Sequence, residues 1–151
     1  MEGMPLSYPV TCHTDFVAKG STFVAIKGLT KNGADYITSA LQKGASSIVV
    51  ASTQAVDEKQ IDAFGAQLVR VQNPRKALAQ LSAQAAGYPA QKLKIIGITG
   101  TKGKTTTTHI LYHLLSSLGY KVACLNTVYN MIRDIEFKPP LTTAQPDYLH
   151  Q

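Results

Sequence analysis

At 151 residues the chain has the size of one domain, or of one small domain with part of another, which excludes a large multidomain enzyme. A content of 44% hydrophobic and 16% charged residues, with 11 Gly and 7 Pro, is globular and excludes a disordered or collagen-like chain. The net charge of +6 suits an anionic partner, but Lys and Arg are scattered singly without interleaved aromatics, which favours nucleotides and phosphates over nucleic acid.

The run TFVAI at 22–26 predicts a buried strand, and KGLTKNGAD after it supplies Gly and Asn for a turn. Ile37, Ala40 and Leu41 recur at helical spacing with Gly44 as a stop, and Ile48 to Val50 predict a second strand. Asp57 is placed to cap a short helix through Phe64, QLVRV at 67–71 is a third strand, and Pro74 opens an Ala- and Leu-rich helix to about Gly87. Strands alternating with helices predict an α/β fold with a mainly parallel sheet. The polar stretch YPAQKLK at 88–94 contains Pro and no apolar period, so one domain is expected over 1–90 and a second over 91–151. In the second, IIGIT at 95–99 predicts a strand, 105–119 a helix with a Gly stop, and KVACL at 121–125 another strand, so a second α/β unit begins there. No internal repeat of fixed period is present.

No apolar run approaches the ~20 residues that span a bilayer, and the start MEGMPLSYPV lacks the charged-then-apolar profile of a secretory signal. A cytoplasmic protein without a membrane partner is expected. Cys12 and Cys124 lie far apart with no C-x-x-C spacing, so both are read as ordinary thiols. His109 and His113 share a helix face, but no Glu completes an H-E-x-x-H arrangement. They, with His13 and His150, are assigned no chemistry and no metal.

The most informative stretch is Gly97-Ile-Thr-Gly-Thr-Lys-Gly-Lys-Thr-Thr106, where an apolar run enters a Gly-rich turn and a helix leaves at Lys104. Gly100 and Gly103 let backbone N–H groups converge on an anion, and the helix N-terminus adds about +0.5 charge. Lys104 would reach the β- and γ-phosphates, and the Thr105 hydroxyl is placed for Mg²⁺. The general pattern G-x-x-x-x-G-K-[ST] is missed by one residue, because Ile98 stands where its first Gly would be. Polyphosphate binding is still the better reading of G-K-T at a helix start.

The segment from Gly100 to Thr106, G-T-K-G-K-T-T, resembles the ATP loop of the Mur ligases and their folylpolyglutamate synthase relatives, which also lack that first glycine. Gly20-Ser-Thr-Phe-Val-Ala-Ile-Lys-Gly28, Asn32-Gly-Ala-Asp-Tyr-Ile37 and Gly44-Ala-Ser-Ser-Ile-Val-Val50 resemble that family's uridine-nucleotide domain over most of residues 10–90. His13-Thr14-Asp15 stands where the family has Asp-Ser-Arg, keeping a hydroxyl at Thr14 and losing the basic residue. The stretch Asn73-Pro-Arg-Lys-Ala-Leu-Ala and Tyr88-Pro89 resemble the helix and exit before the ATP domain, with Arg75 read as a solvated charge. Leu141-Thr142-Thr143 resembles the family's Asn-Thr-Thr-Pro signature, with Leu141 for Asn and Ala144 for Pro.

The resemblance implies ATP at Gly100, Thr101, Lys102, Gly103, Lys104, Thr105 and Thr106, with Lys104 catalytic and Thr105 on Mg²⁺. It implies a UDP-N-acetylmuramoyl-dipeptide at Thr14, Leu29, Thr30, Lys31, Thr142 and Thr143, and a third amino acid, meso-diaminopimelate or lysine, joined through an acyl phosphate in peptidoglycan synthesis. Cell-wall biogenesis, and through it cell shape and division, would follow, in an enzyme monomeric when full length. The family's remaining metal ligands and amino-acid domain have no counterpart in these residues, so the fragment alone is expected to be inactive. Incomplete sheet coverage would leave Ile95, Ile96, Ile98, Val122 and Leu125 exposed. The alternative is a non-catalytic P-loop nucleotide-binding module. A small P-loop kinase is disfavoured because a whole α/β unit precedes the loop.

Overall fold

The computed structural model describes residues 7–28, 30–132, 135–138 and 144–149. Its α-helices are α1 (Ile37–Gln42), α2 (Glu58–Ala63), α3 (Pro74–Ala85), α4 (Lys104–Ser117) and α5 (Pro146–Leu149). Two compact units result, Met1–Leu93 with Pro146–Gln151, and Lys94–Gln145. Among the described residues no helix is long and apolar enough to cross a membrane.

In the first unit, strands β1 (Val10–Thr11), β2 (Thr22–Val24), β3 (Ser47–Ala51) and β4 (Gln67–Val71) pair in that order, every pair parallel. Successive strand residues face opposite sides of the sheet. Phe23, Ile48 and Val50 accordingly pack with Ile37, Ala40 and Leu41 of α1 and Ile61 of α2. Val10, Val24 and Val49 pack on the other side with Leu78 of α3. Coverage on both faces explains why β3 is apolar at consecutive positions, Ile48, Val49 and Val50, all buried. Each such side chain stabilises the fold by roughly 1.5–3 kcal/mol.

The helix starts follow from their caps. Asp57 accepts the Gln60 N–H at 3.1 Å, and Asn73 accepts that of Lys76 at 3.1 Å with Pro74 at the first helical position. Gly33 lies against β2's exit so closely that a Cβ would sit 2.4 Å from the Ile26 nitrogen. Only glycine fits that approach of one backbone to another.

The second unit contains α4 and an antiparallel sheet of β5 (Ala123–Cys124), β6 (Asn130–Ile132) and β7 (Ile135–Phe137). Two expectations are corrected here. Residues 95–99 form no strand, because a strand exists through its ladder partner and none pairs with this apolar run among the described residues. The strand expected over 121–125 shrinks to β5 and pairs antiparallel with β6, a partner reached by a short connection with little loop-closure cost. Of the apolar positions expected on the surface, Ile95, Ile96 and Leu125 are exposed, whereas Ile98 and Val122 are half-buried.

Candidate functional site

The glycine-rich loop of the second unit runs into α4 through Gly103, whose φ of +79° puts the helix N-cap in the left-handed region. A residue with a Cβ is strained there, so glycine lets the chain enter the helix directly. Gly100 also has positive φ, at +153°. Lys104 is the first residue of α4, and its Nζ donates to the Gly100 carbonyl, folding the ammonium back over the loop. The first-turn N–H groups of an α-helix have no intrahelical acceptor, so those of Lys104, Thr105 and Thr106 are available to an anion, while the Thr107 N–H already bonds the Gly103 carbonyl at 2.9 Å. Thr101, Lys102 and Thr106 are exposed and Thr105 is half-buried.

A groove of about 580 Å³ opens beside this turn, lined by Thr105, Thr106, His109, Ile110, His113, Val128 and Tyr129. His109, which sequence reasoning left without a role, is held at both ring nitrogens: Asn126 Nδ2 lies 2.9 Å from Nε2 and the Tyr129 hydroxyl 3.3 Å from Nδ1. Asn126 Oδ1 accepts the Val128 and Tyr129 N–H groups at 2.8 and 3.1 Å, which fixes Nδ2 as the donor facing the imidazole. Nε2 must therefore accept, and the neutral ring carries its proton on Nδ1, directed at Tyr129. The rings of His109 and Tyr129 also meet edge to face at 4.7 Å. Asn126 and Tyr129 carried no sequence signal, because their role depends on a loop returning to α4.

In the first unit, Thr14 starts a 3-10 turn that follows β1, and Thr30 and Lys31 lie on the loop that follows β2. Because β1 and β2 are parallel neighbours, both connections begin at the same edge of the sheet, the carboxyl edge where open α/β folds hold ligands. Thr30 and Lys31 are exposed, and the loop is pinned by the Gly28 N–H on the Lys31 carbonyl at 2.8 Å. Arg75 is exposed as expected, yet Nη2 donates to the Lys27 carbonyl at 3.2 Å, tying the start of α3 to this loop. Lys43 lies against this turn: its Nζ donates to the Thr14 carbonyl at 2.8 Å and lies 3.6 Å from Asp15. Leu29, Thr142 and Thr143, with Leu141 and His150, lie outside the described residues.

Comparison with known proteins matches residues 8–86 to the Mur ligase family, catalytic domain, and residues 98–149 to the Mur ligase middle domain. The UDP-N-acetylmuramoyl-L-alanyl-D-glutamate–2,6-diaminopimelate ligase of Cytophaga hutchinsonii is 36% identical over 118 residues, 78% of this chain and 24% of the relative. That of Bacillus licheniformis is 37% identical over 129 residues, 85% of this chain and 25% of the relative. Among solved structures, the MurF ligase of Thermotoga maritima in complex with ADP is similar at a TM-score of 0.52 and 31% identity, over 74% of this chain and 24% of that one. The chain thus spans about a quarter of the length of the curated relatives it matches.

Proposed function

The chain belongs to the Mur ligase family, and we propose that it corresponds to the uridine-nucleotide-binding and phosphate-loop portion of an ATP-dependent ligase of peptidoglycan synthesis. In this reading the first unit holds the UDP-N-acetylmuramoyl-L-alanyl-D-glutamate at Thr14, Leu29, Thr30 and Lys31, and residues 94–145 begin the ATP-binding domain and add Thr142 and Thr143. The whole ligase joins a third amino acid to the substrate carboxylate through an acyl phosphate, in the cytoplasm. The names of the relatives favour 2,6-diaminopimelate over lysine as that amino acid.

The observation that carries this reading is the entry to α4: a left-handed Gly103, Lys104 at the first helical position, and its ammonium folded over the Gly100 carbonyl. ATP fits this cradle. First-turn N–H groups and the helix dipole face the phosphates, and Lys104 moves from a neutral carbonyl to a phosphate oxygen that attracts it more strongly. Charge that spreads over the transferred phosphoryl oxygens strengthens these contacts beyond their ground-state value, which lowers the barrier. Thr105 offers one hydroxyl to Mg²⁺, and no group of three or more His, Cys, Asp or Glu stands ready for a metal among the described residues. Mg²⁺, which keeps waters and substrate phosphates as ligands, would neutralise charge there.

Calorimetry with the 151-residue chain tests the proposal. Lys104→Ala should weaken Mg-ATP binding by roughly tenfold or more, and Lys102→Ala, at an exposed position of the loop, by less than about twofold. Equal losses would remove the loop assignment. Binding of ATP without any affinity for the UDP-sugar would instead favour a nucleotide-binding module.

A further inference from the structure

Asp147, on α5, is buried at 2% exposure and has no part in the function just proposed. Its Oδ2 accepts the Thr11 hydroxyl at 2.9 Å and the Cys12 N–H at 3.2 Å, with Cys12 Sγ at 3.8 Å. Its Oδ1 takes the Tyr148 N–H at 3.1 Å. Burial pushes the Cys12 thiol up to about 12, and the Asp147 charge and hydrogen bond add to the rise. At neutral pH the thiol is therefore protonated and can donate to the carboxylate. These donors come from the end of β1 and from α5 itself, so the carboxylate is bound by the strand that leads into the turn containing Thr14.

The Thr11 hydroxyl has one proton and two acceptors near it, Asp147 Oδ2 at 2.9 Å and the His13 carbonyl at 3.4 Å. The shorter bond, to a charged acceptor, wins. With its proton directed at Asp147, the Thr11 oxygen accepts the His13 N–H at 3.0 Å. A chain of two hydrogen bonds thus runs from the carboxylate through Thr11 to the backbone of the residue before Thr14. Without the acid, the hydroxyl is released to rotate toward the His13 carbonyl, and the bend loses its fixed reference.

We infer that Asp147 is a positioning residue for the uridine nucleotide, acting through Thr11 to hold the His13 backbone and so to orient Thr14. The inference rests on the reading of Thr14 as a ligand of the UDP-sugar. A purely structural latch for α5 would use the same first bond, but it would not transmit to ligand affinity.

The test is titration of the 151-residue chain with UDP-N-acetylmuramoyl-L-alanyl-D-glutamate, alongside amide hydrogen exchange at His13. Asp147→Ala and Thr11→Val should each weaken binding about tenfold and speed His13 exchange. The double variant should be no weaker than either single one, because both remove the same chain. Thr11→Ser keeps the hydroxyl and should stay within about threefold of the parent. If Asp147→Ala does not fold, the contrast between Thr11→Val and Thr11→Ser decides alone. Unchanged affinity in these variants while Thr14→Ala weakens binding, or multiplying losses in the double variant, overturns the inference and leaves the uridine reading standing. A parent chain that does not bind the UDP-sugar, or a Thr14→Ala variant without effect, overturns both.

Discussion

The two units solve the same local problem, placing a loop at the end of an apolar run, with different means. In the first, the turn after β1 is held by groups distant in sequence, with Lys43 on the Thr14 carbonyl and Asp147 on Thr11, above a sheet buried on both faces. In the second, residues 95–99 have no ladder partner among the described residues, and Ile110 and Leu114 of α4 are exposed, as is Leu118 just after it. The loop before α4 is nevertheless shaped, because its geometry lies in Gly100, Gly103 and the first turn of α4. A phosphate cradle built from backbone conformation is local, whereas a side-chain site at a sheet edge is only as good as its tertiary supports.

That contrast can be broken most directly by apolar truncation. Phe23→Ala, at 1% exposure in the first core, should cost about 3–5 kcal/mol in urea unfolding followed by circular dichroism. Ile110→Ala, at 64% exposure on α4, should change stability by no more than about 0.5 kcal/mol. Comparable costs would mean that α4 buries a face in solution.

A smaller effect comes from pH. The Cys12 thiol is raised in the folded state from 9.0 to about 12, so the unfolded chain loses its proton first as pH rises. Stability of the first unit is then whole below about pH 9 and declines toward pH 12, by up to about tenfold in the folding constant per unit. Tyr8, raised by burial and then by Asp147 and Tyr148, acts in the same direction at higher pH. Cys12→Ala should flatten the decline in urea midpoints between about pH 8 and 10.5, and an unchanged slope would place the thiol in a wetter site than the structure shows.

The smallest effect sharpens the account of α3. Ser82 is fully buried and its hydroxyl has no hydrogen-bond partner among the described residues. Ser82→Ala should therefore stabilise the first unit by about 0.5–1 kcal/mol, read as a higher urea midpoint. A loss of stability would show that the hydroxyl is paired in solution.

The strands at 22–24, 47–51 and 67–71 and their helices were legible in the sequence, because apolar runs, the cap Asp57, Pro74 at a helix start and glycine stops act over a few residues. The glycine-rich turn into α4 was legible for the same reason: Gly100, Gly103, Lys104 and Thr105 lie within six residues of chain. Strand status at 95–99 was misread, since β-branched composition describes a willingness to pair and pairing needs a neighbour. The antiparallel partnership of β5 with β6 and β7, the grip of Asn126 and Tyr129 on His109, and the descent of Asp147 onto Thr11 across 136 positions were decided only in three dimensions. Each depends on which segments the fold brings together, and a hydroxyl, amide or carboxylate carries no mark of its partner until that is settled.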